Sequence, residues 1–368
     1  MPLRNFLIKA SAFILVIVVM DLAISQIAKR VAPQWRNSVL EEDARILLKP
    51  YHHGLKPYAD FVHKFGDLSA PFYTNSLGFR DGRPREVSLK RKGRRLLIIG
   101  DSITEGVGLP YEQTFAGIID RELKKDGTET LNAAVQSYAH QIYYTKVAYF
   151  IERRNLEVTD VAVFVDIGDV ANDVTQYKMD GNGNVVRVDI NCRYGIGCQM
   201  RPMKRFKFWL KDNSILYRSY KVLKTYRREI TSRSIVTTPL AAATNVPGAK
   251  WTFDEKEYND YGIEGLKVAG DAMTKLRKFL TKRNINLTVA VYPWPDQIVR
   301  KDLDSRQVKF WREWTAKNDA KFLNLFPSFI DGRPPEDVYK KYFIPFDYHF
   351  NEQGHEMVAA KFLEQFGK

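Results

Sequence analysis

Along most of this chain, short apolar runs alternate with stretches whose apolar residues recur every three or four positions. Leu96-Leu97-Ile98-Ile99, closed by Gly100, is the clearest run and reads as a buried strand. The pattern predicts strand 95–100, helix 112–125, a short strand 129–132, helix 140–154 and strand 161–167. After a long interval it resumes with helix 262–283, strand 285–292, helix 302–318, strand 321–325 and a last helix from Glu356 to Phe366. Strands alternating with helices argue an α/β class with a parallel sheet.

The N-terminus has a different pattern. Arg4 and Lys9 precede the apolar run Ala10 to Met20, which continues from Leu22 to Ala28 with only Asp21 between. That is about the length a bilayer span requires, and the leading basic residues favour a cytoplasmic start. Residues 1–29 therefore read as an uncleaved signal anchor or as a signal peptide cut after Ser25, with a buried soluble helix as the alternative. The anchor is the expectation, with the body membrane-anchored on the extracytoplasmic side, periplasmic or at the cell surface. Residues 30–93, rich in turn residues, read as a stalk and N-terminal extension. His52 and His53 there read as a surface turn. Residues 94–368 form the main domain, with an insertion at 175–260. Asp180-Gly181-Asn182-Gly183-Asn184 is expected to be a hairpin turn.

Composition adds limits. The chain has 368 residues, 45% hydrophobic and 13% aromatic, which excludes wholesale disorder. The net charge of +14 concentrates between Arg201 and Arg233, where only Asp212 and Glu229 oppose the basic residues. Phe206, Phe208, Trp209, Tyr217, Tyr220 and Tyr226 are interleaved with them. Such a stretch suits an anionic membrane surface or an acidic polymer; the other reading is a solvated helix face packing its aromatics inward. Nucleic acid is not an expected partner of an exported protein. Cys192 and Cys198, the two cysteines, flank a glycine-containing loop. They are either one disulfide or two thiols, and too few ligands for zinc. No metal or organic cofactor is expected.

Two segments carry chemistry. Gly100-Asp101-Ser102 puts a serine at a strand-to-helix turn, on the sheet edge where α/β folds place their sites. Asp347-Tyr348-His349 lies near the other end of the chain. A serine nucleophile needs a base, and the base needs a carboxylate on its other ring nitrogen; Asp347 and His349, two residues apart on a loop, can form that pair. Trp294, after the strand 285–292, lies on the same sheet edge and reads equally as a substrate wall or as a plug over the core. His355 reads as structural. His140 reads as a substrate contact or a helix cap.

Together the two segments resemble the SGNH (GDSL-like) hydrolase family. Its first block is matched by Gly100, Asp101 and Ser102, and its last by Asp347 and His349 before a helix. The resemblance covers roughly residues 94 to 368. It implies a flavodoxin-like, three-layer, doubly wound parallel sheet and an esterase triad of Ser102, His349 and Asp347. The second block supplies an oxyanion amide from a glycine, and Ser137 stands there. The third supplies an asparagine side chain, for which Asn172 is the nearest match, two residues out of place. Asp166 and Asp169 are alternatives for the structural positions of that block. The expected activity is a serine esterase acting on O-acetyl or short acyl esters of cell-envelope glycans. Alternatives are an O-acyltransferase, supplied by a membrane acyl-donor protein, a lipid esterase or thioesterase, and a non-catalytic polysaccharide-binding scaffold.

Overall fold

The computed structural model describes residues 2–31, 44–188 and 238–366, with 210, 213–217, 219, 220, 223 and 224 between them. The chain divides into two compact units, Met1–Asp43 with Tyr194–Thr237, and Ala44–Arg193 with Thr238–Lys368.

The larger unit begins with β1 (Arg45–Leu48), β2 (His52–Leu55), β3 (Asp60–Phe65), β4 (Leu68–Thr74) and β5 (Arg80–Asp81). Next come β6 (Arg95–Ile99), β7 (Glu129–Asn132), β8 (Asp160–Val165), β9 (Tyr177–Met179) and β10 (Val185–Arg187), and finally β11 (Asn286–Val291) and β12 (Lys321–Asn324). An eight-stranded sheet runs β12-β11-β8-β6-β7-β5-β4-β3. The strands from β12 to β7 are parallel, and β5, β4 and β3 add to β7 antiparallel. Every residue of β6 and of β8 is buried, as expected of parallel strands covered on both faces. The chain steps from β6 to β7, then returns to the other side of β6 for β8. This reversal is the topological switch point of a doubly wound sheet, where a crevice opens at the strands' carboxyl ends. Ser102 follows β6 there, and Asp166 follows β8.

The parallel strands and their helices match the expected order: Phe115–Leu123, His140–Ala148, Ile263–Thr281, Arg306–Lys317 and Glu352–Phe366 are helical. The expected hairpin joins β9 to β10. The stalk reading of 30–93 is corrected for residues 45–81. β3 alternates exposed Asp60, Val62 and Lys64 with buried Phe61 and His63, so one face packs on the domain, and β5 joins it to the sheet through Arg80 and Asn132. Gly78 (φ +70°) permits the chain to pass Leu55, whose carbonyl oxygen a Cβ would meet at 2.3 Å.

In the smaller unit, Pro2–Val31 is one helix of 30 residues. It exposes Phe13, Leu15, Val19, Met20, Ile24 and Ile27. Asp21 and Ser25 cap a neighbouring segment: the Leu216 N–H donates to Asp21 Oδ1 at 3.0 Å, and the Ile215 N–H to Ser25 Oγ at 2.9 Å. Among the described residues no helix is long and apolar enough to cross a membrane, so the expected N-terminal membrane helix is not found there. Cys192, Cys198 and most of the basic stretch 201–233 lie outside the described residues.

Candidate active site

The turn after β6 is built for close approach. A Cβ on Gly100 would meet Thr104 Oγ1 at 2.1 Å and the Phe164 carbonyl oxygen at 2.8 Å, so only glycine fits. Asp101 caps the short helix Ser102–Glu105 by accepting from the Ile103 N–H at 3.1 Å. Gly106, at φ +77°, ends it. Buried Arg80 donates to the carbonyls of Glu105, Gly106 and Leu109, fixing the segment that follows.

The C-terminal loop meets this turn. The Tyr339 hydroxyl contacts the carbonyls of Ile344 and Asp347, each at 3.0 Å. Asp347 Oδ1 accepts from the His349 backbone N–H at 2.9 Å and from Nδ1 at 2.6 Å. His349 Nε2 lies 2.8 Å from Ser102 Oγ. With Nδ1 carrying the hydrogen toward Asp347, Nε2 is left to accept from the serine. Burial pulls the Asp347 carboxyl up, but the hydrogen bond and charge of His349 oppose it, and the net direction is down. The His349 ring meets Phe65 edge-on at 4.9 Å and stacks on Tyr348 at 4.5 Å. Phe65 is the last residue of β3, so the segment read as a stalk furnishes part of the site.

The other expected residues are placed as follows. Trp294 is buried, donates from Nε1 to Asp166 Oδ2 at 2.8 Å and stacks on Tyr348 at 4.2 Å. It is a plug supporting the rings beside His349. Ser137 is exposed and left-handed, φ +66°. Its carbonyl accepts from the Tyr177 hydroxyl at 2.7 Å, and its N–H makes no hydrogen bond among the described residues. It opens on a groove of about 320 Å³ shared with His52, His53, Tyr177 and Arg187. Asn172 lies inside the helix Asp169–Thr175, and its Oδ1 accepts from Gln176 Nε2 at 2.6 Å. No hydrogen bond joins Asn172 to Ser102 or His349 among the described residues. The sequence places it one turn beyond the strand end, which Asp166 and Asp169 occupy instead. His140 pairs with buried Asp173 at 2.6 Å and stacks on Trp311, so it is a core contact. His355 accepts from the Phe115 N–H at 3.1 Å, and burial pushes its pKa down to about 3; it is structural, as expected.

Three acids that the sequence offers one by one converge beside the serine. Asp101, Asp166 and Asp169 are all buried, with one oxygen of each within 4.8 Å of the others. Burial raises the pKa of all three, like charge within the cluster adds to it at Asp166 and Asp169, and at Asp101 His349 works against it. Their spacing alone would admit a cation. However, donors from Ile103, Gly168, Trp294, Tyr292, Tyr143 and Asp166 already meet four of the six oxygens, and Ser102 Oγ lies against a fifth, so the donor set does not fit a metal.

No protein-family profile matches the chain, and no curated protein matches it. Among solved structures it is similar to a member of the lipolytic protein G-D-S-L family from Veillonella parvula DSM 2008. That match has 12% identity over 75% of this chain and 100% of the other, with TM-score 0.40. It is also similar to the esterase EstA from a Pseudoalteromonas species (10% identity, 75% and 97% covered, TM-score 0.40). A third is the acetylxylan esterase Axe2 from Geobacillus stearothermophilus (12%, 76% and 96%, TM-score 0.41). These likenesses are distant, and the functional reading rests on the site's own side chains.

Proposed function

We propose that this chain is a serine esterase of short acyl esters, with O-acetyl groups on cell-envelope glycans as its substrate class. The observation that carries this reading is the unbroken hydrogen-bond path from Ser102 Oγ through His349 to Asp347. In the proposed reaction Ser102 Oγ attacks the acyl carbonyl and its proton passes to His349 Nε2. The imidazolium gives that proton to the departing alcohol, and a water repeats the sequence on the acyl-enzyme. Asp347 fixes the imidazole tautomer and steadies its charge. The unbonded Ser137 N–H is proposed as an oxyanion donor.

A small acyl group is supported by the burial of Ser102, 5% exposed, and by the rings of Phe65 and Tyr348 around His349. An extracytoplasmic setting, with the smaller unit attached at a membrane surface, belongs to the same reading. Arg4 and Lys9 ahead of the apolar run, and the exposed Phe13, Leu15 and Met20, support it. The test is hydrolysis of 4-nitrophenyl esters of increasing chain length. Acetate should be preferred, and Ser102→Ala should lose all of it. Preference for long chains, or turnover surviving Ser102→Ala, would contradict the reading.

A further inference from the structure

Ser102 Oγ has one hydrogen and two neighbours that could accept it. His349 Nε2 lies at 2.8 Å and Asp101 Oδ2 at 3.1 Å. If the hydrogen points to His349, as attack requires, the Asp101 contact brings two oxygens together with no hydrogen between them unless Asp101 supplies one. If Asp101 is ionised, it competes with His349 for the serine hydrogen. The same count applies at Tyr292, whose hydroxyl lies 3.2 Å from Asp166 Oδ2 and 3.4 Å from Asp101 Oδ1 and also carries one hydrogen.

The donors decide where charge resides. Asp166 accepts from the Gly168 N–H at 2.7 Å, from Trp294 Nε1 at 2.8 Å and from Tyr292. Both of its oxygens face N–H donors, which leaves a proton there no acceptor to point at. Asp169 accepts from the Tyr143 hydroxyl and the Asp166 N–H through Oδ2, while its Oδ1 is buried with no hydrogen-bond partner among the described residues. The groups facing the cluster are Tyr143, Tyr177, Tyr292, Trp294, Tyr348, Asp173 and His349, and no lysine or arginine pairs with it among the described residues. Three adjacent buried negative charges without a counter-ion are costly.

We propose that the cluster keeps a proton on Asp101, so that this neutral carboxyl donates to Ser102 Oγ and directs the serine hydrogen to His349. Asp101 is thus a positioning residue for the nucleophile, and the proposal builds on the serine-esterase reading. Asp166 supplies the neighbouring negative charge that holds the Asp101 proton, with Tyr292 between them. Activity then needs neutral His349 and protonated Asp101. It falls as pH rises through the Asp101 ionisation, whose pKa burial raises.

The test combines infrared difference spectra with the pH dependence of Ser102 phosphonylation by a fluorophosphonate. Asp101→Asn keeps an oxygen for the Ile103 N–H and offers an N–H to Ser102. It should remove a carboxylic-acid C=O band seen in the unaltered protein, abolish the alkaline fall in rate, and slow labelling by no more than about tenfold, the worth of one hydrogen bond. Asp166→Asn removes a like charge and should move the alkaline fall to lower pH. Three results would overturn the proposal: no acid band assignable to Asp101, a folded Asp101→Asn protein slowed more than a hundredfold at every pH, or a stoichiometric divalent cation retained at the cluster. If Ser102 is not labelled at any pH, the esterase reading fails, while the infrared band still decides the protonation of Asp101.

Discussion

The Tyr177 hydroxyl donates to the Ser137 carbonyl at 2.7 Å and pins a serine whose φ is +66°. A residue with a Cβ pays about 1–2 kcal/mol in that region, and glycine does not. Ser137→Gly should therefore be neutral or stabilising by up to about 1 kcal/mol, after its greater unfolded-state entropy. Ser137→Val should destabilise by more than that. Urea denaturation of the two variants checks both signs.

Arg80 meets three carbonyls with its guanidinium inside the domain, just after the Ser102 helix. Removing it leaves those oxygens buried without a donor, each costing about 1–3 kcal/mol. Arg80→Ala should lose at least 3 kcal/mol, and Arg80→Lys should not restore it, because an ammonium cannot reproduce the planar fork. Thermal and denaturant unfolding read the result. A loss below about 1 kcal/mol in Arg80→Ala would show that the network carries little.

Lys146 is buried and donates to the Ala133 carbonyl at 2.7 Å and the Tyr138 hydroxyl at 2.9 Å. Burial pushes its pKa down to about 7, with Glu105 pulling the other way. The unfolded chain binds this proton up to about pH 10. Between about 7 and 10 the unfolded state thus holds more protons, and this group makes stability rise with pH. Lys146→Met should flatten that rise. An unchanged slope of unfolding free energy against pH over this window would contradict the assignment.

Much of the site was legible because its chemistry is local in sequence. Gly100-Asp101-Ser102 follows an unmistakable strand, and Asp347 and His349 are two residues apart. The rest depends on contacts distant in the chain. Asn172 matched a motif by residue type, but helix phase turned its carbonyl to Gln176. Phe65 reaches His349 only because β3, β4 and β5 join the sheet. The alternation in Asp60-Phe61-Val62-His63-Lys64, followed by Gly66-Asp67 as a hairpin turn, was the available signal for those strands, and inward-facing His63 obscured it. Asp166 and Asp169 read only as alternatives for the structural positions of the third block. Their burial appears only when β6, β8 and β11 are side by side.

Asp347 orients His349 through Nδ1, so Asp347→Asn should lower turnover on the order of 10²- to 10⁴-fold while substrate binding changes little. Because its carboxyl is held below the ordinary range, its contribution to stability is complete above about pH 4 and is lost as pH falls through the folded value. Asp347→Asn should therefore lose this stability at neutral pH and show a shallower fall of stability as pH drops, meeting the unaltered protein only below the folded value. Steady-state kinetics and acid titration by circular dichroism check the two halves separately.

The central claim is that His349 and Asp347 make Ser102 a nucleophile. Labelling with a fluorophosphonate, followed by peptide mapping, tests it most directly. The account predicts one phosphonyl group per chain, on Ser102, with labelling lost in Ser102→Ala and slowed at least a hundredfold in His349→Ala while both variants remain folded. Absence of labelling on Ser102 in the unaltered protein, or an equal rate in His349→Ala, would contradict it.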